Sequence, residues 1–105
     1  MAKKDSIRAK ERHEQRHYLD KPGEPPLLSE FWVKDSKGQV VRYGLAFIDF
    51  SICPTDNGRV LGYDNGHGHH ERHFMGEAKP VEFTTYEEQA KKFFEEVDAI
   101  RRKNA

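Results

Sequence analysis

The chain has 105 residues, enough for one domain with a modest core and too few for two. Apolar residues make up 35% and charged residues 34%, so the core must be concentrated in a few segments; basic and acidic groups balance, 18 − 18 = 0, which excludes a global positive field that would draw in nucleic acid. The single cysteine, Cys53, excludes an internal disulfide framework, and no apolar run approaches the roughly 20 residues of a membrane span, so a cytoplasmic protein with no membrane partner is expected.

Residues 5 to 18 are polar nearly all round yet rich in helix formers, which predicts a marginal N-terminal helix within a charged extension over residues 1–20. Residues 1 to 18 carry six basic groups against three acids, 6 − 3 = +3, a local patch that suits a protein or nucleic-acid partner. Pro22, Gly23, Pro25 and Pro26 then fix turning or extended backbone and end any helix. A single α+β domain is expected from residue 27 to residue 103.

Within it, Leu28 to Lys34 reads as a strand and Asp35-Ser36-Lys37-Gly38 as a hairpin turn. The return from Val40 to Ile52 holds apolar residues in both alternating sets, as a central strand covered on both faces would. Asp49 interrupts it, and a carboxylate there has to be paired, exposed or functional. After a turn at 53–58, Arg59 to Tyr63 forms a third strand, and Glu71 to Met75 a fourth before the pattern breaks at Gly76 to Pro80. From Tyr86 the period becomes helical, with Tyr86, Ala90, Phe93, Phe94, Val97 and Ile100 on one stripe and Thr85 with Glu88 as a capping pair. The expected fold is therefore a small antiparallel sheet of about four strands packed against a C-terminal helix, with an N-terminal helical extension.

The chemistry is concentrated between Tyr63 and His73, where four of the six histidines fall within seven positions among glycines, acids and an arginine. Histidine titrates near neutral pH and is the commonest metal ligand. If residues 67 to 70 are extended, His67 and His69 share one face and His70 points to the other. Metal-independent RNA cleavage needs a base for the ribose 2′-hydroxyl, an acid for the departing 5′-oxygen and a cation beside the phosphate. Asp64, His67, His69, His70 and His73 are the candidate catalytic residues, Asp64 as the group that fixes an imidazole tautomer. Arg59 and Arg72 are candidates to hold the phosphate, and Tyr63 to stack on a base. No cofactor is required by this chemistry. A divalent metal such as zinc is the alternative, with His67 and His69 supplying two imidazoles and His73, or else Asp64 or Glu71, the third ligand, leaving a position open for water. A hydrated loop with no role beyond stray metal capture is the plain alternative to both.

The run Gly58-Arg59-Val60-Leu61-Gly62-Tyr63-Asp64-Asn65-Gly66-His67-Gly68-His69-His70, followed by Arg72-His73, resembles the central motif of the TumE family of toxin–antitoxin proteins, in which a strand ending Tyr-Asp-Asn leads into a histidine-rich loop. With the hairpin at 35–38, the resemblance covers residues 27 to 75. It implies a small bacterial cytoplasmic toxin that acts on RNA and is bound and neutralised by a helix-turn-helix antitoxin. Position by position it singles out Tyr63, Asp64, Asn65, His67, His69, His70 and His73, and it places Asn65 among the substrate-binding candidates. The charged N-terminal extension and Gly66 depart from the family pattern. The expected function is thus an endoribonuclease toxin, with a metal-dependent hydrolase and a non-catalytic binding or regulatory module as alternatives.

Overall fold

The computed structural model describes residues 11–105. They form strands β1 (Glu11–Tyr18), β2 (Leu27–Lys34), β3 (Val40–Ile48), β4 (Arg59–Asp64), β5 (Glu71–Phe74) and β6 (Glu77–Pro80), then one helix, α1 (Tyr86–Lys103). Each strand pairs antiparallel with its neighbours in the chain, giving one six-stranded sheet in the order β1-β2-β3-β4-β5-β6. The expectation of about four strands with an N-terminal helical extension is corrected on both counts. Residues 11–18 are a strand, and the part of the expected helix over residues 5 to 10 lies outside the described residues.

The reason lies in pairing. Helix propensity is worth only tenths of a kcal/mol per residue, whereas β1 satisfies its backbone along β2 in unbroken register from Glu11↔Lys34 to Tyr18↔Leu27. Side chains reinforce that register. His13 stacks on its partner Trp32 with ring centroids 5.1 Å apart and reaches Glu30 at 3.2 Å. The stretch from Leu19 to Pro26 is the connection of the first hairpin, closed by the Leu19 N–H on the Pro26 carbonyl at 3.0 Å.

The hairpin read at Asp35 to Gly38 is present. Asp35 Oδ1 accepts from the backbone N–H of Lys37 and Gln39 at 2.8 and 3.0 Å, and Gly38 takes the left-handed φ of 78° that the turn demands. Strand β3 stops at Ile48, one residue before Asp49, whose carboxylate accepts from the N–H and hydroxyl of Ser51 in a turn. Asp49 is paired locally.

Helix α1 starts where Thr85 Oγ1 accepts from Glu88 N–H at 3.1 Å, and it carries acids in its first turn and bases in its last, as the helix dipole favours. It lies across β3 and β4. Phe93 and Val97 are buried against Tyr43, Leu45, Phe47, Leu61 and Tyr63, the alternate residues of those strands. Phe94, expected in the same stripe, is 41% exposed, because the next position on a helix turns away from the face that Phe93 occupies. Trp32 is partly buried against the core, and Cys53 is buried with its thiol directed at the Thr55 carbonyl, 3.4 Å away. The remaining strand residues, among them Gly44, Ala46, Gly62 and Asp64, project from the opposite, helix-free face. Among the described residues no helix is long and apolar enough to cross a membrane.

Candidate active site

The strand alternation divides the histidine segment between the two faces. Asp64, Glu71 and His73 stand on the open face, where the register sets Asp64 opposite Glu71 and Gly62 opposite His73. The connecting loop folds back over them. Asn65 fastens its first residue to β3, its side chain accepting from Tyr43 N–H at 3.0 Å and donating to the Val41 carbonyl at 3.0 Å. Asp64 Oδ1 accepts from Gly66 N–H, and Gly68 adopts φ 88°, a conformation that strains any residue with a Cβ.

Glu71 is the hub of the arrangement. Its Oε2 lies 3.0 Å from His69 Nε2, and its Oε1 lies 3.4 Å from His67 Nδ1 and 3.8 Å from His73 Nε2. The hydrogen bond from His69, above all, holds the Glu71 carboxyl below its ordinary range, with His67 and the positive potential of His73 adding to the effect. Glu71 is therefore an anionic anchor. It uses Nε2 of His69 and Nδ1 of His67, on side chains 54% and 76% exposed.

His73 is the buried member, 9% exposed. Its Nδ1 accepts from the Arg59 guanidinium at 3.1 Å, since arginine can only donate, and the ring proton of neutral His73 is thereby placed on Nε2. Asp64 Oδ2 lies 2.9 Å from that Nε2 but off the N–H direction, so the atom has no aligned hydrogen bond. Arg59 itself is fully engaged, with Asp56 at 2.9 Å and Asp64 at 3.8 Å. It lies across Gly62, where a Cβ would come within 2.9 Å of the arginine Cδ and 3.2 Å of the Leu45 carbonyl. Gly62 thus makes room for the Arg59–His73 contact.

The ligand-type atoms of Asp64, Glu71 and His73 all lie within 4.8 Å of one another. Two carboxylates and an imidazole suit zinc or another divalent ion. The Arg59 contact opposes that use, because it leaves a proton rather than a lone pair on His73 Nε2, so a cation would enter only after Arg59 withdraws. The histidine set His67, His69 and His73 converges on the Glu71 carboxylate instead of on a shared empty centre.

Other residues singled out by the sequence lie elsewhere. Tyr63 is buried beneath α1, its ring edge-on to Phe93 and its hydroxyl donating to Glu96; desolvation, then Glu96, pushes its pKa up to about 12. Arg72 sits on the same face and also donates to Glu96, which holds the guanidinium firmly protonated. His70 turns to the helix side and lies against Phe83 and Tyr43. Asn65 spends its side chain on the backbone of β3 and offers little to a substrate. No family model, curated protein or solved structure matches this chain. The site must be read from its own chemistry.

Sequence reasoning passes over two members of the cluster. Glu71 enters it only as a metal ligand, although a carboxylate two and four residues from His69 and His67 on an extended segment is placed to bind both. Arg42 gives no signal, since its place depends on cross-strand register. Its guanidinium reaches the turn after β4, within 3.9 Å of where a Cβ on Gly66 would stand, and among the described residues it has no ion-pair partner. Arg42 thus stands at the turn that leads into the histidine loop.

Proposed function

We propose that this chain is an endoribonuclease, the toxin of a bacterial toxin–antitoxin pair, which cleaves RNA through the imidazoles gathered on Glu71. The observation that carries the reading is the shared carboxylate: Glu71 contacts one ring nitrogen each of His67 and His69, whose side chains are largely exposed, and Arg42, with no ion-pair partner among the described residues, reaches the same turn at Gly66. A carboxylate that takes the N–H of an imidazole fixes its tautomer and turns a lone pair outward, which is the form a general base requires. The second imidazole, when protonated, is the matching acid.

In the reaction one imidazole removes the 2′-hydroxyl proton as that oxygen attacks the adjacent phosphorus. The bond from phosphorus to the 5′-oxygen breaks, and the other imidazole protonates the leaving oxygen, giving a 2′,3′-cyclic phosphate and a 5′-hydroxyl. Arg42 offsets the charge that accumulates on the phosphoryl oxygens. His73, tied to Arg59, lies beneath, with its Nε2 3.8 Å from Glu71 Oε1. The toxin assignment, and with it a helix-turn-helix antitoxin as partner, is supported by the Gly58 to His73 run and its likeness to the TumE motif.

The test is RNA cleavage by metal-free protein with a chelator present, wild type against His69→Ala. Cleavage by the wild type, lowered about 10²- to 10⁴-fold in the variant, is the expected result. Cleavage abolished by the chelator would transfer the chemistry to a cation at Asp64, Glu71 and His73. Absence of cleavage under all conditions, or cleavage that His69→Ala retains in full, would overturn the proposal.

A further inference from the structure

The cluster around Glu71 occupies one end of a longer feature of the open face. Reading across the strands, the register gives a row Phe31, Gly44, Asp64, Glu71 and beside it a row Ser29, Ala46, Gly62, His73. Gly44 and Ala46 carry a hydrogen and a methyl group in place of a long side chain, so the floor beside Phe31 is low there, while the Arg59 side chain lies over Gly62 nearer the imidazoles. Two strand spacings, roughly 10 Å, separate Phe31 from Asp64. At the near end the buried Nε2 of His73 lacks an aligned hydrogen bond.

The far end of the lane has the composition of a nucleic-acid contact. Phe31 is partly exposed, with Gly44 at its edge, where an added Cβ would come within 3.9 Å of its Cδ2. The Arg12 guanidinium stands 5.7 Å from the centre of the Phe31 ring. Arg12 and Arg16 of β1 and Arg42 of β3 share this face with Glu14 as the acid among them, a balance of 3 − 1 = +2 in that half of the sheet. Among the described residues none of the three arginines forms an ion pair, in contrast to Arg59, Arg72 and Arg101.

We propose that this lane is a subsite for single-stranded RNA, in which a base neighbouring the scissile phosphate stacks on Phe31 and the flanking backbone runs from Arg42 to Arg12 and Arg16. The proposal rests on the nuclease reading and adds the strand form of the substrate and the residues that recognise it. An aromatic ring between unpaired cations suits an unstacked base with its phosphates, whereas in a duplex the base faces are already stacked. The low floor at Gly44 and Ala46 leaves room for the sugar beside the ring, and stacking tolerates any base, so the subsite positions the strand without reading sequence.

The experiment measures binding apart from cleavage. A fluorescent 2′-O-methyl oligonucleotide, which lacks the attacking hydroxyl, is titrated with the full chain by anisotropy at several salt concentrations, as single strand and as duplex. Wild type should bind the single strand in preference. Phe31→Ala should weaken that binding roughly 5- to 150-fold, and Phe31→Tyr, which keeps the ring, should restore it. The pair Arg12→Gln and Arg16→Gln should flatten the salt dependence by about 0.7 in log–log slope for each phosphate no longer neutralised. Wild-type affinity in Phe31→Ala, with RNA cleavage intact, would overturn the subsite and leave the nuclease standing. An equal preference for duplex would do the same, and wild type that neither binds nor cleaves would overturn both.

Discussion

The imidazole of His70 lies flat on the ring of Phe83, with centroids 3.9 Å apart and planes within 6° of parallel. The stack is directional as well as close. Gln89 donates to the Tyr43 hydroxyl at 3.3 Å, and that hydroxyl shares a hydrogen bond with His70 Nδ1 at 2.9 Å. His70 is thereby held against Phe83 and Tyr43 on the helix side of the sheet.

Burial, then the neighbouring His69, pushes the His70 pKa down. A histidine depressed in the folded state adds stability above its unfolded value, about 6.5, and loses it as pH falls from there toward the folded value. Melting temperature measured from pH 8 to pH 5 should decline on the acid side. His70→Phe, which keeps the stack and removes the titration, should make that decline shallower; an unchanged slope would remove His70 as its source.

Glu71→Gln tests the hub. The amide keeps the shape but loses the charge, so His67 and His69 lose their common anchor and the orientation of their outer nitrogens. RNA cleavage should fall by at least about tenfold while the fold, followed by circular dichroism, persists. The kcat should carry the loss, since Glu71 positions the imidazoles and does not hold the strand.

Tyr63 and Arg72 share Glu96 on the helix side of the sheet, away from the exposed imidazoles. Tyr63→Phe should cost about 1–2 kcal/mol in urea unfolding, toward the low end for a bond to a charged group because Glu96 is one-third exposed. Cleavage by folded Tyr63→Phe should equal that of wild type. A loss of activity at full stability would place the tyrosine in substrate binding after all.

Arg59→Gln addresses the proton on His73. Without the guanidinium donor at Nδ1, the ring is free to carry its proton there and to offer an Nε2 lone pair to the space it shares with Asp64 and Glu71. Zinc followed by isothermal titration should bind the variant more tightly than the wild type. Equal affinity would mean that Arg59 does not govern access to that space.

Much of the architecture is legible in the sequence, and the failures have physical causes. The Asp35 to Gly38 turn, the strands after it and the capped helix from Tyr86 announce themselves through turn chemistry and periodicity. Strand β1 does not, because an edge strand exposed on both faces needs no apolar alternation and takes its order from backbone pairing with β2. Strand β6 is hidden for another reason. Its hairpin turns on Met75 and Gly76, both with positive φ, where a hairpin turn usually announces itself as Asn-Gly. Within the site, alternation separates His67 and His69 from His70, but the gathering of Glu71, Arg42 and Arg59 depends on which strands lie side by side.

The strict neighbour-to-neighbour pairing of the sheet also shapes how the molecule assembles. All five hairpins close over short stretches of chain, and contacts of this kind form early and fast. The helix is different. Tyr86 must reach back to Glu30, fifty-six residues away, before Tyr43, Leu45 and Phe47 are covered. Until residues 86–103 dock, Tyr43, Leu45 and Phe47 lack the cover that Phe93 and Val97 give them, so a chain cut short before the helix would expose one greasy side to self-association.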